Sequence, residues 1–192
     1  MIRQRPTRRR AIATGFFLLG TLLALGACSE VARLDPNGGF AIESFFDGNA
    51  RSEGEIETLG LWKTAFTADF KGRAEEDGEF HLDETFHLSV GDRLQYWRLH
   101  ARPDGRYDGT VRTADEDGLM SPTMPVAGYR TAEGAVLEYD GYAPGGGSMV
   151  LHFRHEMTAE PDGTVVNQVK VSKLGLPLAT SRVVFMKVTP AG

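Results

Sequence analysis

Residues Glu79–Val90 read EFHLDETFHLSV. Phe80, Leu82, Glu84, Phe86, Leu88 and Val90 share one parity, and His81, Asp83, Thr85, His87 and Ser89 the other. A period of two is that of a β-strand with one face turned to an apolar interior. EEDGE (75–79) before the stretch and VGDR (90–93) after it are tight polar turns. The same alternation places Phe66, Ala68 and Phe70 on one face of the preceding strand, and Tyr107, Gly109 and Val111 on one face of a strand in RYDGTVRTA (106–114). RLQYWRLHA (93–101) lies between them, and its Leu94, Tyr96 and Arg98 are taken as the inward set.

Working outward, segments from about Ala50 and near 123–131, 136–142, 148–158, 164–173 and 180–189 read as further strands, broken by Gly- and Pro-containing turns. A short helical segment precedes them at 41–46. No long helix or crossover segment interrupts the series, which excludes a parallel sheet. The expectation is an all-β fold: an antiparallel up-and-down meander of roughly eight to ten strands, closed into a lipocalin-like barrel that removes exposed edges. A curved open sheet or a sandwich is the competing architecture.

The N-terminus carries Arg3, Arg5, Arg8, Arg9 and Arg10, then an uncharged apolar run, then LGAC ending at Cys28. A basic start, apolar middle and small-residue end compose a secretory signal peptide. Leu25-Gly26-Ala27-Cys28 resembles the bacterial lipobox, which implies acylation of the Cys28 thiol and cleavage before it. The expected organisation is a lipoprotein signal peptide at 1–27, a tether at 28–39 and a single β-barrel domain at 40–192. Ser29 is not an Asp, which by the enteric rule favours the outer membrane over the inner. The arginine pair leaves the choice between general secretory and twin-arginine export open.

Cleavage removes five of the 21 basic residues, leaving 16 against 26 acidic ones, a net charge of −10. That excludes nucleic acid and electrostatic docking on anionic lipid. Cys28 is the only cysteine, so its acylation leaves no disulfide, thiolate metal site or cysteine nucleophile.

Glu84 shares a face with four large apolar side chains, where a carboxylate is costly unless paired. Arg98 is the expected partner, and could also meet a ligand carboxylate. Phe70, Phe86 and Tyr96 complete the expected ligand contacts. The histidines give no metal site: His152 and His155 fall on opposite strand faces, and His81 and His87 are separated by about 20 Å along one strand. GGGSMV around Ser148 lacks the glycine that follows a nucleophile elbow. Adjacent Asp83 and Glu84 point apart and form no acid–base pair. No catalytic residue, metal or cofactor is assigned, and the protein is expected not to be an enzyme.

FFDG (45–48), LDETF (82–86), Trp97, RYDGT (106–110) and the ending NQVKVSKLGLPLATSRVVFMK (167–187) resemble, in order and spacing, a proteobacterial lipoprotein family known as domain of unknown function 3833. Gln95 stands where an Arg is common in that family, and Leu174 replaces an aromatic residue. The resemblance implies a lipocalin-like or fatty-acid-binding-like barrel and brings no established activity. The expected function is a lipid-anchored envelope protein that binds or carries a fatty acid or modified lipid. The alternative is a filled barrel that docks on another envelope protein, with an unidentified partner.

Overall fold

The computed structural model describes residues 32–115 and 117–188. One short helix, α1 (Ile42–Phe46), precedes ten strands. They are β1 (Gly48–Thr58), β2 (Trp62–Ala74), β3 (Glu79–Leu88), β4 (Gly91–Ala101), β5 (Arg106–Thr113), β6 (Met124–Arg130), β7 (Gly134–Gly141), β8 (Leu151–Ala159), β9 (Val165–Lys173) and β10 (Leu176–Lys187). Each pairs antiparallel with the next, and β1 pairs with β10, so the sheet closes into an up-and-down barrel.

The hairpins fall into two sets at opposite ends. Three of the connections at one end are Asp-Gly turns: β2–β3, β4–β5 and β8–β9. In each, the aspartate carboxylate (Asp77, Asp104 or Asp162) accepts the backbone N–H two residues on, at 2.9–3.1 Å. The glycine that follows takes φ of 81–85°, a left-handed conformation suited to a residue without Cβ. Asp77, Asp104 and Asp162 are therefore turn-forming groups.

This end carries a floor. Phe46 of α1 inserts between Phe70 and Phe185, with ring centroids 5.3 and 5.2 Å away. Lys187 Nζ donates to the carbonyls of Phe45 (2.7 Å) and Asp47, placing a cation at the helix C-terminus. On the other side Tyr107 donates to Glu43 Oε2 at 3.0 Å, and Arg130 pairs with the same carboxylate.

The expected signal peptide and Cys28 lie outside the described residues. The latter part of the expected tether is not free chain. Asp35 N donates to Arg130 O at 2.9 Å, Gly39 N to Ala132 O at 3.3 Å, and Tyr129 Oη to Ala32 O at 3.1 Å. Residues 32–39 are thus fastened to the barrel beside the floor.

The parity expected for β4 is corrected. Gln95, Trp97 and Leu99 are buried inside, while Leu94, Tyr96 and Arg98 face outward. Both parities of this strand carry large side chains, so size does not choose between them. Each parity also carries an arginine, so position along the strand decides: Arg93 falls at the mouth end, beside Gly145, whereas Arg98 is mid-strand, where an inward turn would bury it.

Closure of the floor depends on Gly72 in β2, where an added Cβ would lie 2.0 Å from the carbonyl oxygen of Phe46. Gly72→Ala should therefore push α1 off the barrel end and destabilise the fold by about 1–3 kcal/mol. Urea unfolding at neutral pH measures this; an unchanged midpoint would show that α1 does not brace the barrel.

Candidate functional site

The barrel encloses a cavity of about 530 Å³. Its walls are apolar side chains of nearly every strand, its floor is Ile42 and Phe46, and its mouth lies among the hairpins opposite α1. No arginine, lysine or aspartate lines it among the described residues.

The polar groups that do line it gather around Trp97. Trp97 Nε1 donates to Glu84 Oε2 at 3.1 Å. Glu84 faces Gln95 across the β3–β4 pair, and Gln95 Nε2 donates to Thr113 Oγ1 at 2.7 Å. Tyr139 and His155 pack on Trp97 edge-on at 5.2 and 5.9 Å between centroids, and they stack on each other at 5.7 Å. His155 Nδ1 lies 3.1 Å from Asn167 Nδ2. His155 Nε2 and Asn167 Oδ1 are buried and have no partner.

Burial pushes the ionisable members of this group toward their neutral forms. Burial raises the Glu84 carboxyl to about 8, only partly opposed by the Trp97 hydrogen bond. Burial also lowers the His155 imidazole to about 4. The Tyr139 hydroxyl is pushed above its ordinary range, first by burial and then by the nearby Glu84.

Among the residues expected to meet a ligand, Glu84, Phe70 and Phe86 line the cavity. Arg98 and Tyr96 do not, and the expected Glu84–Arg98 pair does not form. Arg98 lies outside, hydrogen-bonded to Asp83 Oδ1 at 3.3 Å and to the Trp97 carbonyl at 2.7 Å, and packed against the Tyr96 ring. Gln95, Tyr139, His155 and Asn167 are cavity residues that the sequence reading passed over. Their signal was parity: Tyr139, His155 and Asn167 are each the polar member of an otherwise apolar inward series, while Gln95 shares its series with Arg93. The remaining histidines are outside; His81 contacts Glu79, His87 contacts Asp69 and Asp92, and His152 contacts Asp140. The described residues contain no group of three metal-ligating side chains.

Residues 22–187 match the family described as Protein of unknown function (DUF3833), and the chain belongs to it. No curated protein matches it in sequence. In structure it is similar to Rv2717c from M. tuberculosis, with a TM-score of 0.53 and 13% identity, covering 78% of this chain and 99% of that one. It also matches the S-type phycobiliprotein lyase CPES from Guillardia theta, with a TM-score of 0.37 and 13% identity over 80% and 96% of the two chains. At such identity the first likeness is one of fold.

The two buried groups give opposite pH dependences. Glu84 is protonated when folded and ionised when unfolded between pH 4.5 and about 8, so its contribution to stability falls as pH rises through that window. His155 is neutral when folded and protonated when unfolded between about 4 and 6.5, so its contribution rises with pH there. The two nearly cancel up to pH 6.5, and Glu84 alone acts above it. The stability difference between Glu84→Gln and the unaltered protein should therefore grow by about 1.4 kcal/mol per pH unit from pH 4.5, levelling off above pH 8. Urea titrations at several pH values measure it; a pH-independent difference would mean that Glu84 is ionised inside the barrel.

Proposed function

We propose that this member of the DUF3833 family is a lipid-anchored protein of the bacterial cell envelope whose barrel binds or carries an apolar small molecule, such as a modified lipid or a fatty acid. The observation that carries this reading is the apolar cavity of about 530 Å³, within the size range of small-molecule sites. A barrel that serves only as a docking module has no need of an open interior, and protein interiors ordinarily close-pack. The reading assigns no catalytic residue.

The mouth supports the same view. All five hairpins at that end expose apolar side chains, including Leu61 (β1–β2), Val90 (β3–β4), Leu119 (β5–β6), Met149 (β7–β8) and Leu174 (β9–β10). Leu174 is 92% exposed and sits at φ 50°, in a two-residue hairpin turn that favours Asn or Gly at that position. A leucine there costs stability and gains no packing. It makes sense as a contact for an apolar phase, from which a ligand enters without crossing water.

Acylation of Cys28 would fix the other end. Ala32, four residues later, is held by Tyr129 beside the floor, and four residues reach at most about 14 Å. An anchor at Cys28 would thus be tied by a short segment to the chain that is fastened beside the floor.

The test is mass spectrometry of organic extracts from protein lacking residues 1–27 and carrying Cys28→Ser, purified without detergent. A stoichiometric apolar molecule is expected. Val169→Trp, which fills the cavity from β9, should reduce it at least tenfold in folded protein. Protein that stays empty after incubation with lipid extract would overturn the reading in favour of docking.

At the mouth, Leu174→Asn should raise stability by about 1 kcal/mol by suiting the left-handed backbone. It should also slow transfer of the bound molecule to phosphatidylcholine vesicles. Unchanged transfer would remove the rim from the model.

A further inference from the structure

The polar end of the cavity says what kind of molecule belongs in it. This step rests on the binding reading above and narrows it to a ligand class.

Consider first the His155–Asn167 pair. A neutral imidazole has one N–H and one bare nitrogen. If the Asn167 amide N–H donates to Nδ1, then His155 Nε2 is left with an unused proton and Asn167 Oδ1 with an unused lone pair. If the Asn167 amide is turned over, Nδ1–H donates to the amide oxygen. Nε2 is then an unused acceptor and the amide nitrogen an unused donor. Either assignment leaves one donor and one acceptor unmet, which matches the two atoms of this pair that are buried without partners. A ligand group that only accepts, such as a ketone or an ester carbonyl, meets one of them. A group that does both meets the pair.

Next consider charge. Glu84 is the only carboxyl in the wall, and Trp97 is the one hydrogen-bonding partner of that carboxyl among the described residues. Among the described residues no guanidinium or ammonium group lines this end: Arg98 is committed to Asp83 on the outside, and Arg93, on the inward parity of β4, lies beside Gly145 at the mouth. An anionic head group would enter an apolar space without a counter-charge, beside a carboxyl. A cationic one would find only Glu84, whose ionisation burial opposes.

We infer that the ligand carries on an apolar body one uncharged group that both donates and accepts hydrogen bonds, a hydroxyl or an amide, seated against His155 and Asn167. Carboxylates, phosphates and ammonium groups are selected against at this end. The Glu84 carboxyl, with its proton, supplies a further donor in the same wall.

The experiment is displacement of an environment-sensitive apolar dye from the purified soluble protein at about pH 6.5 by a ten-carbon series: decane, 1-decanol, decanamide, decanoate and decylammonium. Decanol and decanamide are expected to displace it at least tenfold more effectively than decanoate or decylammonium. His155→Phe combined with Asn167→Leu should bring decanol down to decane and leave decane unchanged. Should that double variant not fold, the series on the unaltered protein decides alone. Decanoate binding as well as decanol overturns this inference and leaves the cavity reading standing. No displacement by any member, decane included, overturns both.

Discussion

Nine residue pairs, from Ala50 opposite Lys187 to Thr58 opposite Ala179, join the first strand to the last. Everything inside the barrel depends on them. Without that seam β1 and β10 would be edges, and the inward parity of each would face water. With it, every strand is paired on both sides, and the inner faces of ten strands look only at one another. An eight-stranded barrel is just wide enough for side chains to fill. Ten strands are wider, and the aromatic floor at Phe46, Phe70 and Phe185 closes one end without filling the middle. The cavity is thus a consequence of strand number and closure.

The fold was legible because its strands are regular. Alternation in 79–90 marks the inward set, and Asp-Gly pairs mark the turns through side-chain hydrogen bonds that act within two residues. Local chemistry of this kind is readable from sequence. The pairing of β1 with β10 is not local, but it follows once ten hairpin-linked strands are recognised and their edges must go somewhere.

The site was legible only in part, and β4 shows why. Leu94, Tyr96 and Arg98 look as apolar as Gln95, Trp97 and Leu99, so hydrophobicity leaves the parity undecided. A charge rule decides it only for the middle of the strand, since Arg93 shares the parity of Gln95 and Arg98 that of Leu94. In β8 the outward residues are His152, Arg154 and Glu156 and the inward ones Leu151, Phe153, His155 and Met157; in β9 the outward Lys170 separates inward Val169 from Val171. Between its ends the wall of this barrel takes neutral polar residues and sends formal charges out, where Arg154 meets Glu138 and Glu156. Applied to the middle of β4, the rule turns Arg98 outward and Gln95 inward; Arg93, on the inward parity, escapes it at the mouth. Glu84 breaks it in sequence and obeys it in chemistry, because the buried carboxyl keeps its proton.

That exception bears on function. Glu84, His155 and Asn167 each lower the stability of the empty barrel: the first by holding a proton against its ordinary tendency, the others by leaving buried atoms without partners. Leucine, valine and phenylalanine would pack the same positions at no such cost. Ser52 Oγ and Arg93 Nε are also buried without partners, but singly; local rules that fail together within one patch mark the place where a sequence serves something other than folding. Leu174 makes the corresponding departure at the rim, where a left-handed turn position holds a large apolar side chain in water. The two departures lie on one route, from an apolar mouth to a neutral polar end. A molecule with an apolar body and a hydroxyl or amide head would relieve both.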